Sequence, residues 1–290
     1  MPLQSPALDK IATLQRGEIT EYRIYTRIAG STRDAHNREV LSRIASQEYE
    51  HYLIWKKYTA RDIAPDSCRV WFYYLLARAF GITFAIKLME GIEKRAQLVY
   101  HEIGTVIPEV KEIIAHEEAH ERELIGLLDE ERLHYVGSVV LGLNDALVEF
   151  TGTLAGLTFA IQNSQVIAIA GLIMGVAASF SMAASEYLSQ KSDRGSANPL
   201  KASLYTGVTY LVTVALLILP FLLLSNPYIA LPITLAAAIF VIFLFTFYIS
   251  VAKDLPFVRR FIEMVTISMG IAAISFVIGM AIRLILHVDI

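Results

Sequence analysis

The chain has 290 residues and a formal net charge of -3, long enough for two domains and too weakly charged for a nucleic acid or strongly acidic partner to be expected. Cys68 is the only cysteine, which excludes an intrachain disulfide and any Cys-x-x-Cys metal or redox site. Charge is unevenly placed: residues 1–135 hold 18 of the 25 Lys and Arg, 21 of the 28 Asp and Glu, and six of the seven His. The expected organisation is therefore all-α, a polar helical module over residues 1–133 and an integral membrane module over 134–290.

Four helical segments are predicted in the first module. One runs from about Leu8 to Ala29, before Gly30-Ser31, and a second from about Thr32 to Ala60, ended by the Pro65 region. The third spans roughly Arg69 to Ile103. The fourth starts near Pro108, a good first-turn residue, and continues to about Leu133. Within the third, residues 70–86 are aromatic and interrupted by Arg78, too short for a spanning helix of about 20 apolar residues. That stretch is expected in a bundle or dimer interface, or resting on the membrane surface. The start, Met-Pro-Leu-Gln-Ser, has no basic stretch followed by an apolar core, so no cleaved signal and a cytoplasmic first module are expected.

Five spans are predicted after Val136: about 136–161, 165–189, 202–224, 228–251 and 260–286. Lys191, Arg194 and Lys201 lie between the second and third, and Lys253, Arg259 and Arg260 between the fourth and fifth. By the positive-inside rule those loops face the cytoplasm, which puts the first module inside and Ile290 outside.

Two Glu-x-x-His steps, Glu48-Tyr-Glu-His51 and Glu117-Glu-Ala-His120, stand in the second and fourth segments. Residues three apart on a helix face one side. With Glu18 on the first segment and Glu90 on the third, they supply the inward carboxylate and imidazole set of a di-iron four-helix bundle. Glu93, one turn beyond Glu90, is a further or switching ligand. Carboxylates hold both iron oxidation states and imidazoles cap each ion; manganese or zinc would substitute. Glu21, Glu50, Glu118 and Glu121 depart from the ligand phase, and His101 and His116 read as surface histidines.

At Gly-Glu18-Ile-Thr-Glu-Tyr-Arg, Gln-Glu48-Tyr-Glu-His51, Met-Glu90-Gly-Ile-Glu93 and Glu117-Glu-Ala-His120-Glu the chain resembles the ferritin-like superfamily, rubrerythrins in particular. The resemblance covers about residues 8–133. It implies a ferritin-like four-helix bundle, but not the rubredoxin-type site of rubrerythrins, whose cysteines are missing; an electron partner is not identified.

The first predicted span carries Asn144, Asp145 and, one turn on, Glu149; the second carries Met174, Met182 and Glu186. Carboxylates inside a membrane are functional candidates by default. With a thioether they select transition metals over Mg(II) and Ca(II). Glu186 lies towards the cytoplasmic end, and Glu263, after Arg259-Arg260, reads as an interfacial ion-pair partner. Gly-Leu-Asn144-Asp145-Ala-Leu-Val-Glu149 and Ser-Met182-Ala-Ala-Ser-Glu186-Tyr-Leu-Ser resemble the vacuolar iron transporter family of plants and yeast. That resemblance implies five spans, a homodimer, Fe(II)/proton exchange, and a pathway through Asp145 and Met182. The acid-rich insertion of the plant proteins is missing, and Met174 stands where they carry an acid. The fused arrangement is similar to the erythrin–vacuolar iron transporter, or membrane-bound ferritin, branch.

The function expected is export of Fe(II) from the cytosol by proton antiport across a prokaryotic cytoplasmic membrane, the bundle capturing, sensing or oxidising iron. A membrane-anchored di-iron oxidase or peroxidase and a Mn(II) exporter of the same architecture are the alternatives.

Overall fold

A computed structural model describes residues 5–93, 107–126, 135–192, 198–253 and 255–286. Among them are ten α-helices and no strand: α1 Ser5–Ser31, α2 Ala35–Thr59, α3 Ser67–Phe80, α4 Ile82–Glu93, α5 Val110–Gly126, α6 Val136–Ile161, α7 Ser164–Ser192, α8 Pro199–Leu223, α9 Pro227–Lys253 and α10 Phe257–Leu286. They form two compact units, Met1–Glu130 and Glu131–Ile290.

In the first unit α2 and α3 begin where the sequence supplies a cap. The Asp34 carboxylate accepts from the Asn37 amide at the start of α2, and Asp66 accepts from the Cys68 and Arg69 amides at the start of α3. The helix predicted from Arg69 to Ile103 is broken. Gly81, at φ 100°, ends α3 and begins α4, a backbone state open to glycine and strained for other residues. α1 and α2 pack along each other, α3 lies on α1 and α4, and α5 touches α2 and α4. Two apolar layers result. Ile24, Ile28, Leu41, Ile44, Val70, Met89 and Leu124 make one; Ile11, Leu14, Trp55, Val110 and Ile113 make the other. On α1, α2 and α5 alike the residues between these layers are the predicted ligands.

In the second unit α6 is the hub, in contact with α7, α8, α9 and α10. Glycines permit the closest approaches. A Cβ on Gly279 of α10 would collide with the Gly156 backbone of α6, and one on Gly142 of α6 with the Thr206 backbone of α8. α8 starts with Asn198 accepting from the Leu200 and Lys201 amides and Pro199 in its first turn. Four helices, α7 to α10, are long and apolar enough to cross a membrane. The fifth predicted span exists as α6 over residues 136–161 but is not among those four. Its composition explains why: Asn144, Asp145, Glu149, Thr151 and Thr158 lower its mean hydropathy.

Candidate metal centre and membrane acids

Between the two apolar layers, Glu18, Glu48, His51 and His120 are each no more than 3% exposed, and Glu117 is half-buried. Glu18, Glu48, His51 and Glu117 offer ligand atoms that all lie within 4.8 Å of one another. That spread suits one ion bound at roughly 2.0–2.2 Å by oxygen and nitrogen donors after a small closure.

The contacts divide between two imidazole poles. His51 Nδ1 is 3.4 Å from Glu18 Oε2, 3.5 Å from Glu48 Oε2 and 3.3 Å from Glu117 Oε1. His120 Nδ1 is 3.2 Å from Glu48 Oε1 and 3.8 Å from Glu117 Oε2. Glu48 and Glu117 thus each turn one oxygen to His51 and the other to His120. Both Nδ1 atoms and Glu48 Oε2 are buried without a hydrogen bond, a costly arrangement unless something else binds there.

The far side of each ring is held. His120 Nε2 lies 2.8 Å from Gln47 Oε1, an atom that only accepts, so Nε2 carries the proton and Nδ1 is left as the free donor atom. His51 Nε2 lies 3.1 Å from His116 Nδ1, the two rings stacked. Trp55 Nε1 donates to Glu18 Oε1 at 3.0 Å. These three partners were not foreseen from sequence, and His116 is corrected from a surface residue to a neighbour of the cluster. The signals existed: Gln47, His51 and Trp55 follow at i, i+4 and i+8, and His116 and His120 at i and i+4.

The electrostatics are those of a site without its cation. Burial, only partly opposed by the contact with His51, pushes the Glu18 carboxyl up to about 8. At Glu48 burial is outweighed by contacts with His120 and His51, which bring it down to about 2. Burial disfavours charge on His51 too, yet Glu117, Glu18 and Glu48 push it up to about 12. At His120 burial is likewise outweighed by Glu117 and Glu48, and the ring is pushed up to about 9. Protons on the imidazoles stand in for the positive charge that the carboxylates gather round. The residues fit a metal centre of oxygen and nitrogen donors.

Glu90 and Glu93 belong to α4, but their side chains lie outside the described residues, as do His101 and Glu121. Glu50 and Glu118 are exposed, as expected.

In the second unit Ser138 on α6 donates to Glu186 Oε1 on α7 at 2.6 Å, and Gln190 donates to the same oxygen at 2.9 Å. Glu186 is 6% exposed. Two turns beyond Ser138 along α6 come Asn144 and Asp145, both half-buried. One turn further, Glu149 accepts from the Tyr210 hydroxyl of α8 at 2.6 Å. From Ser138 to Glu149 the rise is about 16 Å at roughly 1.5 Å per residue, half of a hydrocarbon core of about 30 Å. Tyr210, not among the expected site residues, reaches this row from α8, as does Thr206, which donates to the Ser138 carbonyl at 3.0 Å. Met182 packs half-buried against the core of the unit, whereas Met174 and Glu263 are exposed.

No curated protein and no solved structure matches the chain. The family model of the VIT family, the vacuolar iron transporters, matches residues 136–197, a range that includes α6 and α7; the match does not reach the first unit. Together with the four apolar helices, it supports an integral membrane protein that moves metal ions.

Proposed function

We propose that the chain exports Fe(II) across a membrane in exchange for protons, and that its first unit is a ferritin-like di-iron bundle serving as the intake. The observation that carries the intake is the turning of Glu48 and Glu117 between His51 and His120. Two carboxylates that each present one oxygen to either pole are what a pair of bridged ions requires. Glu18 completes the His51 pole, and we keep Glu90 as a ligand and Glu93 as a further or switching one from the sequence pattern. Iron held there supplies one-electron redox chemistry; the side chains bind it, keep water out and release the protons it displaces.

For the pathway we assign Asp145, Glu149 and Met182, flanked by Asn144 and Glu186. The row from Glu186 to Glu149 gives a divalent cation successive oxygen ligands along α6, and carboxylates take up the proton when the metal leaves. A mere membrane anchor has no need of such a row, which disfavours an anchored oxidase. Glu149 is exposed on the single chain and Asp145 is half open. Acids on an open face in a bilayer need a protein partner, which supports a homodimer closing over α6. The basic helix ends at Lys191 and Lys201 and at Lys253, Arg259 and Arg260 support the intake on the cytoplasmic side and the C-terminus outside.

Fe(II) and Mn(II) uptake into proteoliposomes, read with an internal pH dye under an imposed pH gradient, tests the reading. Metal movement coupled to opposite proton movement, with Fe(II) preferred, is expected. Proton-independent movement, or none, would remove the antiport; Mn(II) preference would identify a manganese exporter.

A further inference from the structure

α3 is apolar on two sides. Val70 and Tyr73 face the core of the first unit. Cys68, Trp71, Phe72, Leu75 and Ala79, spaced i, i+3, i+4, i+7 and i+11, form a second stripe that is open. Trp71 is 49% exposed, Phe72 53% and Leu75 58%, and Phe80 adds to the same end of the helix. A helix apolar on both sides belongs between two partners, and the described residues provide one.

The surroundings of the stripe indicate the other. Beside it a groove of about 440 Å³ is lined by Arg23, Thr26, Arg27, Ser67 and Trp71. The Arg27 guanidinium lies 3.5 Å from the Trp71 ring centre and 4.8 Å from that of Tyr74. Among the described residues none of Arg23, Arg27, Arg69 and Arg78 forms an ion pair. Asp66, the acid next to the stripe, is engaged in capping α3. Cations bedded on Trp and Tyr rings, beside an apolar strip, are the composition of a surface that lies in the headgroup layer. A second copy across a two-fold axis would set this patch against itself, arginines facing arginines with no carboxylates between them. Tethering adds to the case: the same chain carries four helices able to cross a bilayer, which holds a headgroup surface at high effective concentration.

We propose that the open face of α3, with the groove of Arg23 and Arg27, docks on an anionic bilayer surface, the groove receiving a lipid phosphate and Trp71, Phe72 and Leu75 entering the headgroup layer. This does not depend on the metal reading.

Cys68 is the chain's sole cysteine, is exposed and lies on the stripe, so a nitroxide there reports on the contact in the full-length protein. Collision accessibility to oxygen and to a water-soluble nickel chelate is measured in nanodiscs of phosphatidylcholine alone and with phosphatidylglycerol added. The oxygen-to-nickel ratio is expected to rise several-fold in the anionic discs, and to fall back at high salt and in the Arg23→Glu/Arg27→Glu and Trp71→Ser/Phe72→Ser variants. Circular dichroism and the thermal unfolding midpoint of each variant show that the protein is still folded. A label equally water-exposed in both discs, or equally shielded in both, overturns the proposal. So does dipolar broadening between two labels, which would make a second copy the occupant.

Discussion

On the proposed di-iron reading Glu48 and Glu117 are the side chains on which the centre turns, because each addresses both His51 and His120. Glu18 stands at the His51 pole. Replacing either bridging residue by Ala is therefore expected to lose both ions from the purified protein, whereas Glu18→Ala weakens one pole and leaves the other loaded; elemental analysis per chain separates these outcomes. The partners behind the rings set affinity more gently. Gln47→Ala and His116→Ala are each expected to loosen binding by roughly 10–100-fold, and Gln47→Glu, which still accepts from His120 Nε2, to restore it. The metal-free site holds protons at neutral pH on His51, pushed up to about 12, His120, up to about 9, and Glu18, up to about 8. Since the metal must displace them, binding tightens as pH rises through 8 towards 9 and releases protons. Calorimetry in buffers of different ionisation enthalpy measures that release; binding that is flat with pH would contradict it. The ligand pattern was readable because Glu-x-x-His is a helical spacing. Gln47, Trp55 and His116 were not, because spacing identifies a face of one helix and not what a second helix brings to it.

At the scale of elements, the second unit is ordered by α6, which packs against four other helices. Its neighbours approach through glycine. Gly279→Ala places a methyl group against the Gly156 backbone, an overlap of backbone that no side-chain rotation relieves, and is expected to cost roughly 1–3 kcal/mol. Thermal unfolding in detergent should show it, while Gly270→Ala, which meets nothing within 4 Å, serves as the control and should leave the midpoint unchanged. α1, α2 and the helices of the second unit were legible in the sequence to within a few residues, whereas the expected ends of the third and fourth segments, near 103 and 133, lie outside the described residues. The break at Gly81 was overlooked because the residues around it are helix-compatible, and only the φ of 100° shows that the chain turns there. The first predicted span is present as α6 over residues 136–161, with the acids that set its hydropathy below that of the other four.

At the scale of the whole molecule, a buried acid-and-imidazole centre and a membrane unit matching the VIT family over residues 136–197 share one chain. The reading offered is that the first gathers the cation that the second moves. Loss of both bridging carboxylates in Glu48→Ala/Glu117→Ala should then slow flux at low Fe(II) and leave it nearly normal at high Fe(II), where the intake is bypassed. The most direct test is of the pathway itself: Fe(II) flux into proteoliposomes by the full-length protein and by Asp145→Ala, at matched incorporation and under the same pH gradient. The expected result is loss of most of the proton-coupled flux in Asp145→Ala with metal content of the first unit unchanged. Flux equal to that of the parent protein would contradict transport along α6.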